Sequence, residues 1–279
     1  ASLRWQGPLQ ALDISGEFKF ERLPLPDDVL LTQQSQLRAT LNLLAKAPEF
    51  SVHWQSPMVV LEQTSATVTN SALPDDLRLQ ASARKGQFNQ LDASIKGTIS
   101  EGELALTAQS QWPGLPNTAL ALQGEWQDAK LRVQQLLLST LNGSIELKGD
   151  VSSSAFVGSV AVDKLQPGLY WTDFPGEFSG KSNLTIQADQ QLSIALSQQA
   201  WQGNLRGLPL SLTGDAKLWF NQHWRIHTDG LALSHGDNQL RIVGQLDEAW
   251  QLALNAEIVD FNRSLPMAEG RLQSDIHVA

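Results

Sequence analysis

The sequence contains no cysteine. Disulfides, thiolate metal sites and cysteine nucleophiles are excluded, although that absence alone does not identify a compartment. Basic residues are few: 20 Lys and Arg against 29 Asp and Glu give a formal charge of −9, and the cations form no cluster. A phosphate backbone needs clustered cations, so the composition argues against nucleic acid as a partner. No uninterrupted apolar run approaches the roughly 20 residues of a membrane-spanning helix. Low-complexity tracts, linker-like stretches and a Gly-x-Ser-x-Gly nucleophile elbow are also missing. The chain opens at Ala1 without a signal peptide or initiator methionine, and so reads as an excised or mature piece of a longer protein, with any targeting segment outside it.

What the chain does have is period-two alternation. Leu184, Ile186 and Ala188 alternate with polar residues; Leu192, Ile194 and Leu196 do the same, then Leu208, Leu210 and Leu212, then Leu240 and Ile242, then Trp250, Leu252 and Leu254. Side chains alternate across a strand, so each run builds a strand with one apolar face. Turn signals separate the runs: residues 73–76, 112–114, 141–144, 166–168, 174–176 and 235–238 combine Pro, Gly, Asn and Asp. The pattern predicts about sixteen strands, give or take three. Early ones contain Phe18 and Phe20, Leu37 to Leu43, and Phe50 to Trp54. Asp27 to Lys46 has a helical alternative, capped by Asp27 and Asp28, but its second half alternates as a strand does. The runs are mostly five to eight residues long, whereas a lipid-embedded barrel needs about 9 to 11 per strand and aromatic girdles. That length argues against such a barrel.

Apparent chemical motifs dissolve on this pattern. Gly180, Lys181 and Ser182 resemble the end of a phosphate-binding loop, but Pro175 stands where its first glycine belongs, and a strand rather than a helix follows. His223, His227 and His235 suggest a metal cluster, yet on a strand His223 and His227 lie about 13 Å apart; all three are assigned to the polar face. Asp27/Asp28 and Asp75/Asp76 each follow Leu-Pro and read as turns. The reading is therefore no enzyme, no cofactor and no metal site. Nine tryptophans accompany a single tyrosine; Trp5, Trp54, Trp126, Trp201, Trp224 and Trp250 sit near strand starts or in phase with apolar neighbours, as core aromatics or as residues at the rim of a groove.

A weak repeat of about 95 residues relates 141–184 to 236–278: Ile145 with Leu240, Leu147 with Ile242, Gly149 with Gly244 and Ala161 with Ala256 share one offset, and Gly176 matches Gly270 one residue short of it. The expectation is an all-β fold, a single elongated and repetitive segment over 1–279 whose mostly antiparallel sheet has one apolar face. Ile145, Leu147, Val160, Val162, Leu184, Ile186, Ile194, Leu196, Leu210, Leu212, Leu240, Ile242, Leu252 and Leu254 are expected on that face, and Ser193, Ala195, Ser211 and Arg241 on the outward one.

The stretch from Trp171 through Asp173, Phe174, Pro175, Gly176 and Glu177 to Gly180 resembles the translocation and assembly module B (TamB) family of Gram-negative bacteria, in the AsmA-like group. Leu131 and Val133 followed by Leu141 to Gly149, and Leu252 to Asp260, carry the same likeness, which is good from about residue 77 onward and thinner before. The resemblance implies an internal periplasmic piece of a longer protein, anchored in the inner membrane by a segment outside this chain. It implies a sheet folded lengthwise into an apolar-lined trough, a β-taco, in which the fourteen residues above line a groove for phospholipid acyl chains. It further implies phospholipid movement between the membranes and support of outer-membrane protein assembly, with a BamA-type partner (TamA) bound through parts beyond this chain. Alternatives are a scaffold that pairs its sheet edges with strands of outer-membrane barrels or autotransporters, or a closed structural β-sandwich or β-helix.

Overall fold

The computed structural model describes residues 2–19, 23–24, 28–63, 85–111, 115–128, 130–188, 192–221, 223–246, 250–265 and 267–278. The expected turns at 73–76 and 112–114, together with Asp27, Asp75, Asp76 and Phe20, lie outside them. The fold is all-β, 76% strand. Among the described residues, helix is limited to a 3-10 turn, Pro167–Leu169, and one four-residue helix, α1 (Phe261–Ser264). The chain divides into two compact units, Ala1–Asp128 and Ala129–Ala279.

The first unit holds β1 (Ser2–Gln6), β2 (Leu12–Phe18), β3 (Leu23–Pro24), β4 (Asp28–Thr32), β5 (Ser35–Asn42), β6 (Glu49–Gln63), β7 (Lys85–Gly97), β8 (Glu101–Gln111) and β9 (Thr118–Gln127). Every pairing is antiparallel. The stretch that offered a helical alternative is thus two strands. β5 and β4 share one edge of β6, pairing with Glu49–Gln55 and Val59–Gln63 respectively. Pro57 falls in the gap between them, and on its other side the ladder meets Gln90, whose φ is 52°. Such a break tolerates a residue without an N–H.

The second unit is an antiparallel meander in which each strand pairs with the next: β10 (Lys130–Thr140), β11 (Gly143–Val151), β12 (Ala155–Leu165), β13 (Gly176–Ala188), β14 (Leu192–Leu205), β15 (Leu208–Asn221), β16 (His223–His235), β17 (Asn238–Leu246), β18 (Trp250–Ile258) and β19 (Leu272–Val278). Leu141-Asn142 and Arg206-Gly207 are two-residue reversals with positive φ at both positions, the geometry whose twist suits a hairpin.

Strand length departs from the sequence reading. β13 to β16 run for 13 or 14 residues and β6 for 15, so the argument from short strands against a barrel loses its basis. The cause is a line of bulges. Register shifts fall between Lys181 and Asn183, Leu196 and Gln199, Thr213 and Lys217, and Thr228 and Leu231. Each adds residues on one strand and breaks the period, so β14 reads in sequence as two short runs. Side chains satisfy the backbone groups the bulges release: Gln198 N donates to Asp215 Oδ1 (2.8 Å), Thr228 Oγ1 to Asp215 O (2.6 Å) and Ser182 Oγ to Ser197 O (3.0 Å). Bulges bend the strands that carry them, and neighbouring ones crease the second unit's sheet across β13 to β16.

Candidate functional site

Residues paired directly across an antiparallel ladder share a face, so the register assigns faces without further assumption. In the second unit Ile145 and Leu147 stand opposite Val162 and Val160, and these opposite Gly180 and Ser182. Leu184 and Ile186 meet Leu196 and Ile194. Beyond the crease, Trp201 pairs with both Gly180 and Leu212, and Gly203 with Leu210. Leu212 leads through Leu233 to Leu240, and Ile242 to Leu254, with Leu252 beside Gly244. All fourteen candidate residues therefore lie on one face. Only Val162 and Leu184 among them are buried, at 8% exposure each; the other twelve are half-buried. On the same face Leu192, Ile226, Leu233, Leu272 and Ile276 are exposed. A packed sandwich core would bury such residues nearly completely.

The opposite face is polar, with one correction. Ala195 and Arg241 lie on it, Arg241 exposed, and Ser211 Oγ lies 2.8 Å from Ser234 Oγ. Ser193 is on this face but buried, at 6% exposure. It pairs with Trp219, whose ring carries Lys217 Nζ at 5.6 Å from its centroid. Alternation gives the face of a residue, not what its neighbours lay over it.

The histidines separate. His227 stays on the polar face, 3.2 Å from Asp229 Oδ1. The bulge at Thr228–Leu231 shifts the phase, so His235 falls on the apolar face, contrary to its sequence assignment, and is buried at 5% exposure. Its Nε2 donates to Leu205 O and its Nδ1 meets Ser264 Oγ, both at 2.8 Å. Asn238 beside it donates to Asp260 O (2.8 Å) and Ser264 Oγ (2.7 Å) and accepts from Val259 N (2.9 Å). Arg206 donates to the carbonyls of Asn262 and Arg263. α1, with Asp260 as its N-cap, is thus clasped over the strand ends by polar groups, and no residue of it is buried. Nothing in the alternation announces this clasp; the only local signal is the cap, Asp260 before a short polar turn.

Gly180, Lys181 and Ser182 lie within β13, with Lys181 exposed.

The model of the TamB N-terminal domain family matches residues 12–279. The chain belongs to the TamB family. The match reaches earlier than the resemblance read from the motifs, into β2. TamB proteins span the periplasm from an inner-membrane anchor, work with TamA, and form a transport and assembly module with a role in outer-membrane protein assembly and lipid transport. Neither the curated proteins nor the solved structures yield a match. Among the described residues of this TamB segment, no helix is long and apolar enough to cross a membrane.

The first unit of the TamB chain is two-faced in the same way. Leu37, Ala39 and Leu41 meet Trp54, Val52 and Phe50, and these meet Ala93, Ile95 and Gly97. Phe50, Gly97, Gly102 and Trp126 form one row across four strands. The two aromatic rings reach toward each other over the glycines and stack, 6.1 Å between centroids and 11° between planes; Trp126 Nε1 donates to Thr98 O. A Cβ on Gly102 would lie 2.2 Å from the indole. Of the tryptophans singled out by sequence, Trp54, Trp126 and Trp201 are described to the side chain, and all three lie on apolar faces; the side chains of Trp5, Trp224 and Trp250 lie outside the described residues. On the polar face Asp92 accepts from Gln55 Nε2 (2.7 Å) and lies 2.8 Å from His53 Nε2. The Gln55 hydrogen bond foremost holds the Asp92 carboxyl below the usual carboxylate range, opposed by burial and helped to a lesser degree by His53. An open depression of about 420 Å³ is lined by polar residues such as Thr40, Ser51, Lys96 and Glu103 together with Phe50, Gly97 and Gly102.

Proposed function

We propose that the apolar face of the second unit is the wall of a groove that holds phospholipid acyl chains and conducts them between the inner and outer membranes. The observation that carries this reading is the incomplete burial of a continuous apolar face: twelve of its fourteen expected residues remain half-buried. A sheet with one greasy side must cover it with another sheet, with itself or with a ligand. An acyl chain leaving a bilayer for such a surface changes its environment little, since about 0.8 kcal/mol per methylene is gained in both places relative to water. Ten strands at a spacing of about 4.8 Å give a wall of roughly 45 Å along which a chain slides without strong specific contacts. The single trough over 1–279, its periplasmic location and its partnership with TamA through parts beyond this chain belong to the same proposal.

A second reading is a scaffold that pairs open sheet edges with strands of outer-membrane proteins through main-chain hydrogen bonds. A closed β-sandwich gains no support from the half-buried face, nor a β-helix from antiparallel pairing.

Native mass spectrometry of the purified chain separates these readings. Co-purified phospholipid, removed by delipidation and restored on exposure to vesicles of phosphatidylethanolamine and phosphatidylglycerol, is the expected result. A chain that carries and acquires no lipid, but retains extended outer-membrane protein peptides, would overturn the groove and favour the scaffold.

A further inference from the structure

Polar groups on the apolar faces are few, and their hydrogen-bonding states are uneven. On that face of the second unit the buried polar side chains are Ser182, Gln199, Thr228, His235 and Asn238. Ser182, Thr228, His235 and Asn238 all have partners. Gln199 differs: it is 6% exposed, and its Nε2 amide meets no acceptor among the described residues. Two positions along β14, on the same face, the indole Nε1 of Trp201 is likewise buried without an acceptor. In the first unit, Trp54 Nε1 is in the same state. Among the described residues, every unpartnered buried side-chain atom on these faces is a donor, and the one unpartnered acceptor, Asn42 Oδ1, belongs to the polar face, opposite Glu49.

The sheet builds this pair deliberately into its crease. The bulge at Gln198, with φ 52°, turns Gln199 inward. Directly across the ladder, Gln199 faces Gly214, and Trp201 faces Gly180 on one side and Leu212 on the other, so the two glycines add no side chain of their own over the donors. Burying N–H groups without acceptors is costly, and whatever supplies an acceptor recovers that cost. A peptide segment brings donors and acceptors in equal number. A water can accept from both donors but brings two O–H groups that must then be placed. A hydrocarbon brings neither. An ester carbonyl is acceptor-only, compact and attached to an apolar chain.

We propose that Gln199 and Trp201 form a docking point for the carbonyl of an acyl ester, so that the groove selects acyl esters over hydrocarbon chains that lack one. This rests on the groove reading above. Both donors are buried from solvent; an occupant's chain reaches them by parting the side chains packed above. Acyl chains slide along the remaining wall, and the ester pauses at the crease.

The test uses chain 1–279 in competition between two mass-labelled glycerophospholipids of identical headgroup and chain length, one diacyl and one dialkyl ether. The wild type is expected to take up the diacyl form about fivefold to tenfold over the diether. Gln199→Leu and Trp201→Phe are each expected to bring that ratio toward one while diether uptake persists, which also reports that the variants fold. A ¹³C-labelled ester carbonyl should absorb at lower infrared frequency when bound to the wild type than to Trp201→Phe. Equal uptake of both lipids by the wild type, or a preference unchanged in both variants, overturns the docking point and leaves the groove standing. Uptake of neither lipid overturns the groove reading, and the docking point with it.

Discussion

At the scale of single residues, the two faces are governed by different physics. The polar face is held by short-range pairs such as Gln55, His53 and Asp92, which stitch β6 to β7. Because the folded state holds Asp92 below its ordinary value, the unfolded chain binds that proton more readily. The contribution to stability is therefore complete above about pH 4, the unfolded carboxylate value, and is lost as pH falls through the lower folded value. A carboxyl titration by NMR is expected to give Asp92 a midpoint below that of an exposed aspartate, and Gln55→Ala should raise it. A midpoint that does not move in the variant would assign the shift elsewhere. Ser193 teaches a related lesson, since its polar-face position was legible but its burial, opposite Trp219, was not. A charge there should not be expected to be silent.

At the scale of elements, the bulges decide the geometry. Gly214 has φ 110°, and a Cβ on it would lie 1.8 Å from Gly230 O across the crease. Gly207, in a hairpin turn with φ 79°, has nothing within 4 Å of the same position. Gly214→Val is expected to cost about 3 kcal/mol, through backbone strain and steric overlap together, and Gly207→Asn no more than about 1 kcal/mol. Thermal melts followed by circular dichroism compare the two, and a Gly214→Val midpoint equal to that of Gly207→Asn would remove the crease from the account. The strands themselves were legible, because alternation needs only nearest neighbours in sequence. Their lengths were not, because a bulge resets the phase, and a reader takes the reset for an end. The same reset moved His235 to the apolar face and hid Gln199 between two runs. Element order supports the proposal that residues 141–184 and 236–278 repeat one unit: strand, strand, short helical turn, strand, as β11, β12, Pro167–Leu169 and β13, then β17, β18, α1 and β19. Registers differ by one residue, however, with Ile145 opposite Val162 but Leu240 opposite Ala256, a slip that an alignment of alternating residues cannot reveal.

At the scale of the whole molecule, the conduit reading makes a demand that a structural sheet does not. A conduit fails at its worst point, so one charge on the apolar face should stop it, whereas a scaffold loses only local stability. Ile194→Arg or Leu252→Asp places an unpaired charge among apolar neighbours and, in use, among lipid tails, where its desolvation is uncompensated. The same change at Thr213 or Arg241 meets water. Complementation in cells lacking the native protein should therefore fail for Ile194→Arg and Leu252→Asp and succeed for Thr213→Lys and Arg241→Glu, provided that the four variants accumulate equally. Destabilisation alone could mimic this result, so a second measurement is needed on chains that carry no charge change. A photo-crosslinking side chain at Leu196 or Ile242, compared with one at Thr213 or Arg241, supplies it. Lipid adducts at the first pair only would mark the apolar face as the path. Labelling of both faces alike, or of neither, would mean that lipid does not run along this wall, and pairing of a sheet edge with an outer-membrane protein strand would then be the better account of what the chain binds.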